Sequence, residues 1–543
     1  MNWRKISLLS CGLLAIASSV ILCLVPPVSK DALIHHLAVP KLYLEHGGIY
    51  EIPFMPFSYF PMNLDLLYTL PLYFGNDIAP KLIHMGFGVF TSALIYSYLK
   101  QRIGTEYALL GALFFFSLPI IVKLSITVYV DLGLVFFSTG ALLLVLKWVN
   151  SDFKIRYLIY SAVVCGLAMG TKYNGLITFF LLTLLVVFLH ARYRRGRSYG
   201  VLEACKYGSF FSLISIVLFS PWMIRDYIWT GNPIYPLYNH WFNPDVHTGP
   251  SPIGIFAYRA MVYHEKWWET LLLPIRVFFQ GKDGSPQFFD GKLNPFLLFF
   301  PILSFIRMQD DPEEIRIENK ILLAFSVLYF SFAFFSSSLR IRYIAPIIPP
   351  LVILSVFGIK KVIVFARGIR SPVKRNIVYL IFIGVVCTAI GINAWYIVGQ
   401  FRYVRPFDYL TKKVSREAYI ERYRPEYPVI RFINRNLPSS AKILFVFMGN
   451  RGYYCDRSYV FDMEWNKSTV EQILKKEHSA RALKEELQKN GFTHILVNIP
   501  IFYQWTTKSF EPGDKLALRK FFSKYAKHIY YKNGYCLYKL LES

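Results

Sequence analysis

The stretch "VPPVSKDALIHHLAVPKLYLEHGGIY" (residues 25–50) leaves an apolar run through Pro26 and Pro27. It then places Asp31, His35, His36, Glu45 and His46 within one short reach. Ionisable groups beside lipid are costly and tend to be kept for chemistry. Whether lipid is nearby depends on the run before it, "MNWRKISLLSCGLLAIASSVILCLVPP". That run begins with basic residues, is long for the apolar part of a signal peptide, and has no small-residue cleavage site after it. It reads as a retained first membrane helix.

Working outward, the composition agrees. The 543 residues are 54% hydrophobic and 17% aromatic, and apolar stretches close to membrane length recur. About eleven spans are expected, near residues 6–26, 78–99, 105–122, 130–149, 156–171, 174–190, 206–224, 293–307, 319–338, 343–362 and 376–398. The pair around "GLAMGTKYNGLITFF" can also be read as one broken helix. The net charge of +26 is a poor argument for nucleic acid, because much of the excess lies in short loops. With the N-terminus in the cytoplasm, Lys100/Arg102, Lys147/Lys154/Arg156, "RYRRGR" (192–197) and the basic 360–375 loop all fall inside. This is the positive-inside pattern. Residues 27–77, 123–131, 225–292, 339–342 and the tail from about 400 then lie outside.

The tail changes character. "KILFVFMG" (442–449) and "THILVN" (493–498) read as buried strands, with "STVEQILKKEHSARALKEELQKNG" between them helical. "HIYYKNGYCLYKL" is two strand-like runs around Asn533-Gly534, a hairpin signal. The expected architecture is therefore mostly α: a transmembrane helical bundle over 1–399, with first outer loop 27–77, and a small α/β extracytoplasmic domain over 400–543. Cys455 and Cys536 fall in that domain and are candidates for a disulfide. No Cys/His spacing supports a metal site, and adjacent His35 and His36 cannot both face one ion from a single helix.

With this topology, Asp31 leaves the first span on the outer side. "FSYFPMNLDLLYTL" (57–70) brings Tyr59, Asn63 and Asp65, and Asp131 opens the fourth span after "KLSITVYV". Either acid can be an N-cap; as a pair at one depth they read as functional. "GTKYNG" (170–175) places Lys172, and "SSSLRIRYIAPIIPP" (336–350) places Arg340 and Arg342, on the side where cations are disfavoured. Snorkelling to the interface explains such residues singly. Beside carboxylates they suggest a held anion, such as a lipid phosphate that arginine grips bidentately. Sugar transfer from a polyprenyl-phosphate donor unites these features. The cation steadies the departing phosphate, and a carboxylate takes the acceptor's proton.

The order of "DALIHHLAVPKLYLEHGGIY", "YFPMNLDLLYTLPLYFG", "VYVDLG", "GTKYNGL" and "RIRYIAPIIPPL" resembles the GT-C-fold membrane glycosyltransferases. The similarity is to the branch near the protein O-mannosyltransferases, aminoarabinose transferases and rhizobial galacturonosyltransferases, over roughly residues 25–350. The resemblance implies catalytic roles for Asp31 and Asp131. It implies donor-phosphate contacts from Lys172, Arg342 and Tyr343, and substrate contacts from His36 and Asp65; their position on the outer side adds Arg340 as a further phosphate candidate and Glu45 and Tyr59 as further substrate candidates. Lys30-Asp31 stands where the family often has an adjacent acidic pair, and His35 stands where it usually has tyrosine. The oligosaccharyltransferase pattern W-W-D-Y-G is absent; "KWWETLLLP" (266–274) shares two letters with it. The expected partners are a polyprenyl-phosphate sugar, a glycan, lipid or protein acceptor, and the bilayer. The expected place is the plasma (inner) membrane of a cell with an envelope to decorate. No cofactor is required; some related folds use a divalent cation, for which nothing in the sequence argues. A flippase or transporter of the same lipid-linked sugar is the alternative, favoured only by Lys172 near a helix break.

Overall fold

The computed structural model describes residues 3–194, 200–244, 253–308, 312–335, 338–464 and 467–541. The chain is mostly helical and is a multi-pass membrane protein. The first helix, α1 (Trp3–Cys23), is followed by the pre-site turn at Ala32–His36, α2 (Ala38–His46), α3 (Asn63–Tyr73) and α4 (Ala79–Ile103). Then come α5 (Thr105–Ser117), α6 (Pro119–Ser125), α7 (Asp131–Asn150), α8 (Ile155–Thr171), α9 (Gly175–Tyr193) and α10 (Gly200–Thr230). Short helices α11 (Asn239–Phe242), α12 (Ile255–Tyr263), α13 (Trp267–Leu271) and α14 (Leu273–Phe279) lead to α15 (Phe296–Leu303), α16 (Glu313–Phe334), α17 (Ile348–Arg367) and α18 (Pro372–Val404).

Among the described residues, eight helices are long and apolar enough to cross a membrane, or nine if the bent pair α5–α6 counts as one. All eleven expected segments are helical, but three fall short of a full span. Pro119 explains one: it forces Leu118 into an extended conformation (φ −55°, ψ 137°), and the α5–α6 pair bends by 64°. The α8 segment has only 17 residues. The expected 293–307 span reduces to the eight-residue α15. It packs so closely on α17 that a Cβ on Gly358 would lie 2.4 Å from the Phe300 carbonyl oxygen. The segment around Lys172 is two helices joined by a tight turn, not one broken helix. Gly175 makes that turn possible, since a Cβ there would lie 2.4 Å from the Ala168 carbonyl oxygen.

After α18 the chain passes through α19 (Pro406–Leu410), α20 (Arg416–Tyr423) and α21 (Tyr427–Asn436) into an α/β domain. Its sheet has the order β2-β1-β5-β7-β6, with β1 (Lys442–Val446), β2 (Ser458–Phe461) and β5 (His494–Asn498) parallel. The hairpin β6 (Ala526–Lys532) and β7 (Tyr535–Leu540) adds two antiparallel strands. Asn533 and Gly534 take φ of 52° and 86° at its turn, as the Asn-Gly signal requires. A two-residue ribbon, β3 (Met463–Glu464) and β4 (Lys467–Ser468), precedes α22 (Thr469–Glu477). The single helix expected here is split in two. Ser468 and Ser479 each cap a new start, and His478 (φ 49°) lies between α22 and α23 (Ala480–Lys489). Helices α24 (Ile499–Ser509) and α25 (Pro512–Lys524) complete the domain. Cys455 and Cys536 are both buried free thiols and do not pair.

The domain is clasped to the first loop. Lys41 Nζ donates to Asp456 Oδ1 at 2.8 Å and to the Cys455 carbonyl at 2.9 Å. Arg416 pairs with Asp77 at 2.5 Å, and Tyr454 donates to the Pro27 carbonyl at 2.7 Å. Arg424 Nε donates to the Val28 carbonyl at 2.6 Å.

Candidate active site

A cavity of about 1530 Å³ lies between the bundle and the α/β domain. Its walls come from the stretches after α1, between α6 and α7, after α8, between α14 and α15, and before α17. These are the segments that the charge pattern groups on one side. Trp395 and Gly399 of α18 and Phe447, Asn450 and Ile501 of the α/β domain close the remainder.

Asp31 lines the cavity and pairs with Arg342, Oδ2 to Nη1 at 2.7 Å. Burial works against its ionisation, but the Arg342 guanidinium, with His35 and His36, outweighs it and holds the carboxyl well below the usual carboxylate range. Arg342 is buried, lies over Tyr129 (5.0 Å) and Tyr343 (5.4 Å), and its Nε has no partner among the described residues. Lys172 Nζ donates to Asp131 Oδ1 at 2.6 Å and lies 5.3 Å from the centre of the Tyr343 ring. Asp131 is fully buried and does not line the cavity, and its second oxygen is unpartnered among the described residues. It sits behind Lys172. His84, on α4, accepts from the Leu132 N–H at 3.0 Å and donates to the carbonyls of Leu124 and Thr127, which fixes the entrance of α7.

His36 Nδ1 and Asp65 Oδ1 are 2.7 Å apart, both buried. Burial dominates here: it pushes the Asp65 carboxyl up and the His36 imidazole down, so one proton is held between two neutral-leaning groups. His35 stacks on Phe57 at 4.7 Å.

Asp31, His36, Asp65, Lys172, Arg340, Arg342 and Tyr343 thus all border one cavity. Glu45 does not: it is exposed and pairs with Lys41 at 3.7 Å. Tyr59 does not either: its hydroxyl donates to Glu51 at 2.6 Å, and its ring packs on Trp229 and Tyr235. Arg340 and Arg342 part company. Ile341 between them is fully buried with its N–H on the Phe289 carbonyl, and Arg340 reaches Asp290 (3.9 Å) instead of Asp31.

Arg340 belongs to a second group that the sequence reading missed. Lys123 pairs with Asp290 at 2.8 Å and Asp283 at 3.2 Å, and Tyr396 donates to Asp283 at 2.8 Å. Lys292 lies 6.0 Å from the centre of the Tyr396 ring. The available signal was that Lys123 and Lys292 also stand on the cation-poor side. Among the described residues, no group of three or more His, Cys, Asp or Glu side chains is placed to hold a metal ion.

The family model for dolichyl-phosphate-mannose-protein mannosyltransferase matches residues 74–224. The structure is similar to ArnT from Cupriavidus metallidurans in the apo state, with TM-score 0.59 and 13% identity over 98% of this chain and 97% of that one. It is equally similar to ArnT bound to undecaprenyl phosphate, with TM-score 0.59, 13% identity, and 99% and 98% covered. The chain has the GT-C fold. The GT-C oligosaccharyltransferase AglB from Archaeoglobus fulgidus, in complex with an inhibitory peptide and a dolichol-phosphate, matches with TM-score 0.51 and 12% identity, over 100% of this chain and 75% of that one. No curated protein sequence matches the chain significantly.

Proposed function

We infer that the chain is a glycosyltransferase that moves a sugar from a polyprenyl-phosphate donor to an acceptor at the face carrying the α/β domain. One observation carries this reading: a carboxylate, Asp31, and a buried arginine, Arg342, meet on the wall of a cavity that also holds Lys172. Similarity to GT-C proteins with bound undecaprenyl phosphate or dolichol-phosphate supports it. The basic loops at the opposite end of the bundle support an extracytoplasmic cavity and a cytoplasmic N-terminus. The place is then the plasma membrane.

In this mechanism Asp31 takes the proton from the acceptor hydroxyl as its oxygen attacks the anomeric carbon. The bond from that carbon to the phosphate oxygen breaks, and the lipid phosphate leaves as an anion held by Lys172 and Arg342. Attack opposite the leaving group inverts the anomeric centre. An aspartate clamped by arginine is a weak base. A donor phosphate competing for Arg342 loosens that clamp, so donor binding raises the basicity of Asp31 at the moment it is needed. Asp131 acts through Lys172, as a positioning residue.

The test is transfer by the purified, reconstituted chain across a panel of polyprenyl-phosphate sugars. Asp31→Asn is expected to lose at least about a hundredfold in rate, the range for a lost general base. Full activity in that variant removes Asp31 from the role. Movement of the lipid across the bilayer without transfer would make the protein a flippase instead.

A further inference from the structure

The cavity has more positive charge than one donor phosphate needs. Eight basic side chains line it against four aspartates. The pairs nearest Asp31 are balanced: Arg342 with Asp31, and Lys172 with Asp131. Lys30, Lys81 and Arg424 carry part of the surplus on the walls nearest α1 and the α/β domain, and the second group carries one further unbalanced cation. There Lys123, Arg340 and Lys292 face only Asp283 and Asp290, the Arg340–Asp290 contact is long at 3.9 Å, and Lys292 makes no ion pair among the described residues. Arg340 Nε is buried and unpartnered among the described residues.

This group is held by a built frame. The loop from Gly281 to Lys292 closes on itself through the Lys282 N–H to the Phe288 carbonyl (2.9 Å) and the Asp290 N–H to the Ser285 carbonyl (2.9 Å). Arg259, fully buried and paired with Glu265 at 2.7 Å, donates to the Gln287 carbonyl at 2.8 Å. The Ile341 N–H joins the loop to the segment carrying both arginines, at 2.9 Å from the Phe289 oxygen. Tyr129, whose ring lies 5.0 Å from the Arg342 guanidinium, also lines the cavity. On the far side are Tyr396 and Trp395 of α18; Trp395 is 69% exposed on a helix whose apolar window is only 11% buried. The second group therefore stands where the cavity meets a lipid-facing helix.

We propose that Lys123, Lys292 and Arg340 form a second phosphate site, so that the cavity holds two phosphate groups at once. This rests on the glycosyl-transfer reading and deepens it. The second phosphate has two sources: the other phosphoryl group of a polyprenyl diphosphate, or a phosphate on a separate substrate. Asp283 and Asp290 orient the cations and prevent the empty site from repelling itself apart.

The experiment measures binding, not transfer, with the full chain in nanodiscs. The probes are a polyprenyl monophosphate, the diphosphate on the same tail, and inorganic phosphate added to monophosphate-loaded protein. Lys292→Gln is the main variant, because Lys292 is exposed and breaks no ion pair among the described residues. If one lipid supplies both groups, the diphosphate binds at least about tenfold more tightly than the monophosphate, the worth of one charged contact, and Lys292→Gln abolishes most of that preference. If a second substrate supplies it, the two lipids bind alike. Inorganic phosphate then binds the loaded protein, and Lys292→Gln weakens that binding. The site is refuted if there is neither preference nor phosphate binding, or if Lys292→Gln changes neither. Arg342→Lys separates the two ideas. If it weakens monophosphate binding while Lys292→Gln is silent, the second site falls and the transferase reading stands. If the parent protein binds no polyprenyl phosphate, both fall.

Discussion

Both ends of the helical bundle carry an arginine paired with a carboxylate, and the two pairs behave oppositely: Glu318 is buried and Arg102 half-buried at one end, Arg342 buried and Asp31 half-buried at the other. At the end away from the cavity, Glu318 of α16 accepts from Tyr98 and Arg102 Nε on one oxygen, both at 2.6 Å. On the other it accepts from Arg102 Nη2 and Asn150 Nδ2. Every acceptor is used, and α4, α7 and α16 are tied together. At the cavity end, the Arg342–Asp31 pair leaves Arg342 Nε without a partner among the described residues and borders open volume. Spare hydrogen-bonding capacity in a pair that borders a cavity is what distinguishes a candidate site from a brace.

That contrast can be broken first at the brace. Glu318→Ala removes the acceptor of the buried Tyr98 hydroxyl together with its bonds to Arg102 and Asn150, and its expected cost is about 3 kcal/mol of stability, the scale for losing hydrogen bonds to a charged group and leaving a buried donor unmet. The check is thermal unfolding in detergent; an unchanged midpoint would mean the knot holds nothing. Asp31→Asn should do the reverse, losing its roughly hundredfold in transfer while the unfolding midpoint moves little, because Asp31 is half-buried and its partner keeps access to the cavity. Arg342→Lys keeps the charge but loses the planar fork. Donor binding should weaken by about tenfold, as expected where bidentate contact matters, and titration with polyprenyl phosphate would show it. The smallest effect is a slope. Folding passes the His36–Asp65 proton from imidazole to carboxyl with no net uptake, so the parent pair adds little pH dependence below neutrality. Asp65→Asn leaves a buried, neutral His36 whose folded value lies below its unfolded one. Stability present above about pH 6.5 should then be lost as pH falls toward the folded value. Unfolding midpoints that fall more steeply with acid in the variant than in the parent, across mildly acidic pH, are the expected result.

Much of this was legible in the sequence, for identifiable reasons. Hydropathy located the helices, and the Asn533-Gly534 turn and the two buried runs located the sheet, because each signal is local. The gathering of Asp31, Lys172 and Arg342 was readable because loop charge set which segments share a face. Depth was not readable: nothing local reveals that Asp131 sits behind Lys172, or that Tyr59 turns toward Glu51 and away from the cavity. The parting of Arg340 from Arg342 comes with a change from extended backbone at Arg340 to a tight helical turn at Ile341–Ile347, where the Ile341 N–H is held by the distant Phe289 carbonyl. Pro119 announces a bend, but its angle is set by packing.

The clasps at Lys41, Arg416, Arg424 and Tyr454 bear on how this protein could be dissected or engineered. Phe447, Asn450 and Ile501 form part of the chamber's wall, so cutting the chain after α18 would unroof the chamber as well as free its anchor points. The carboxy-terminal quarter is masonry in the same room as the Asp31–Arg342 pair, and swapping it between relatives would exchange part of the room.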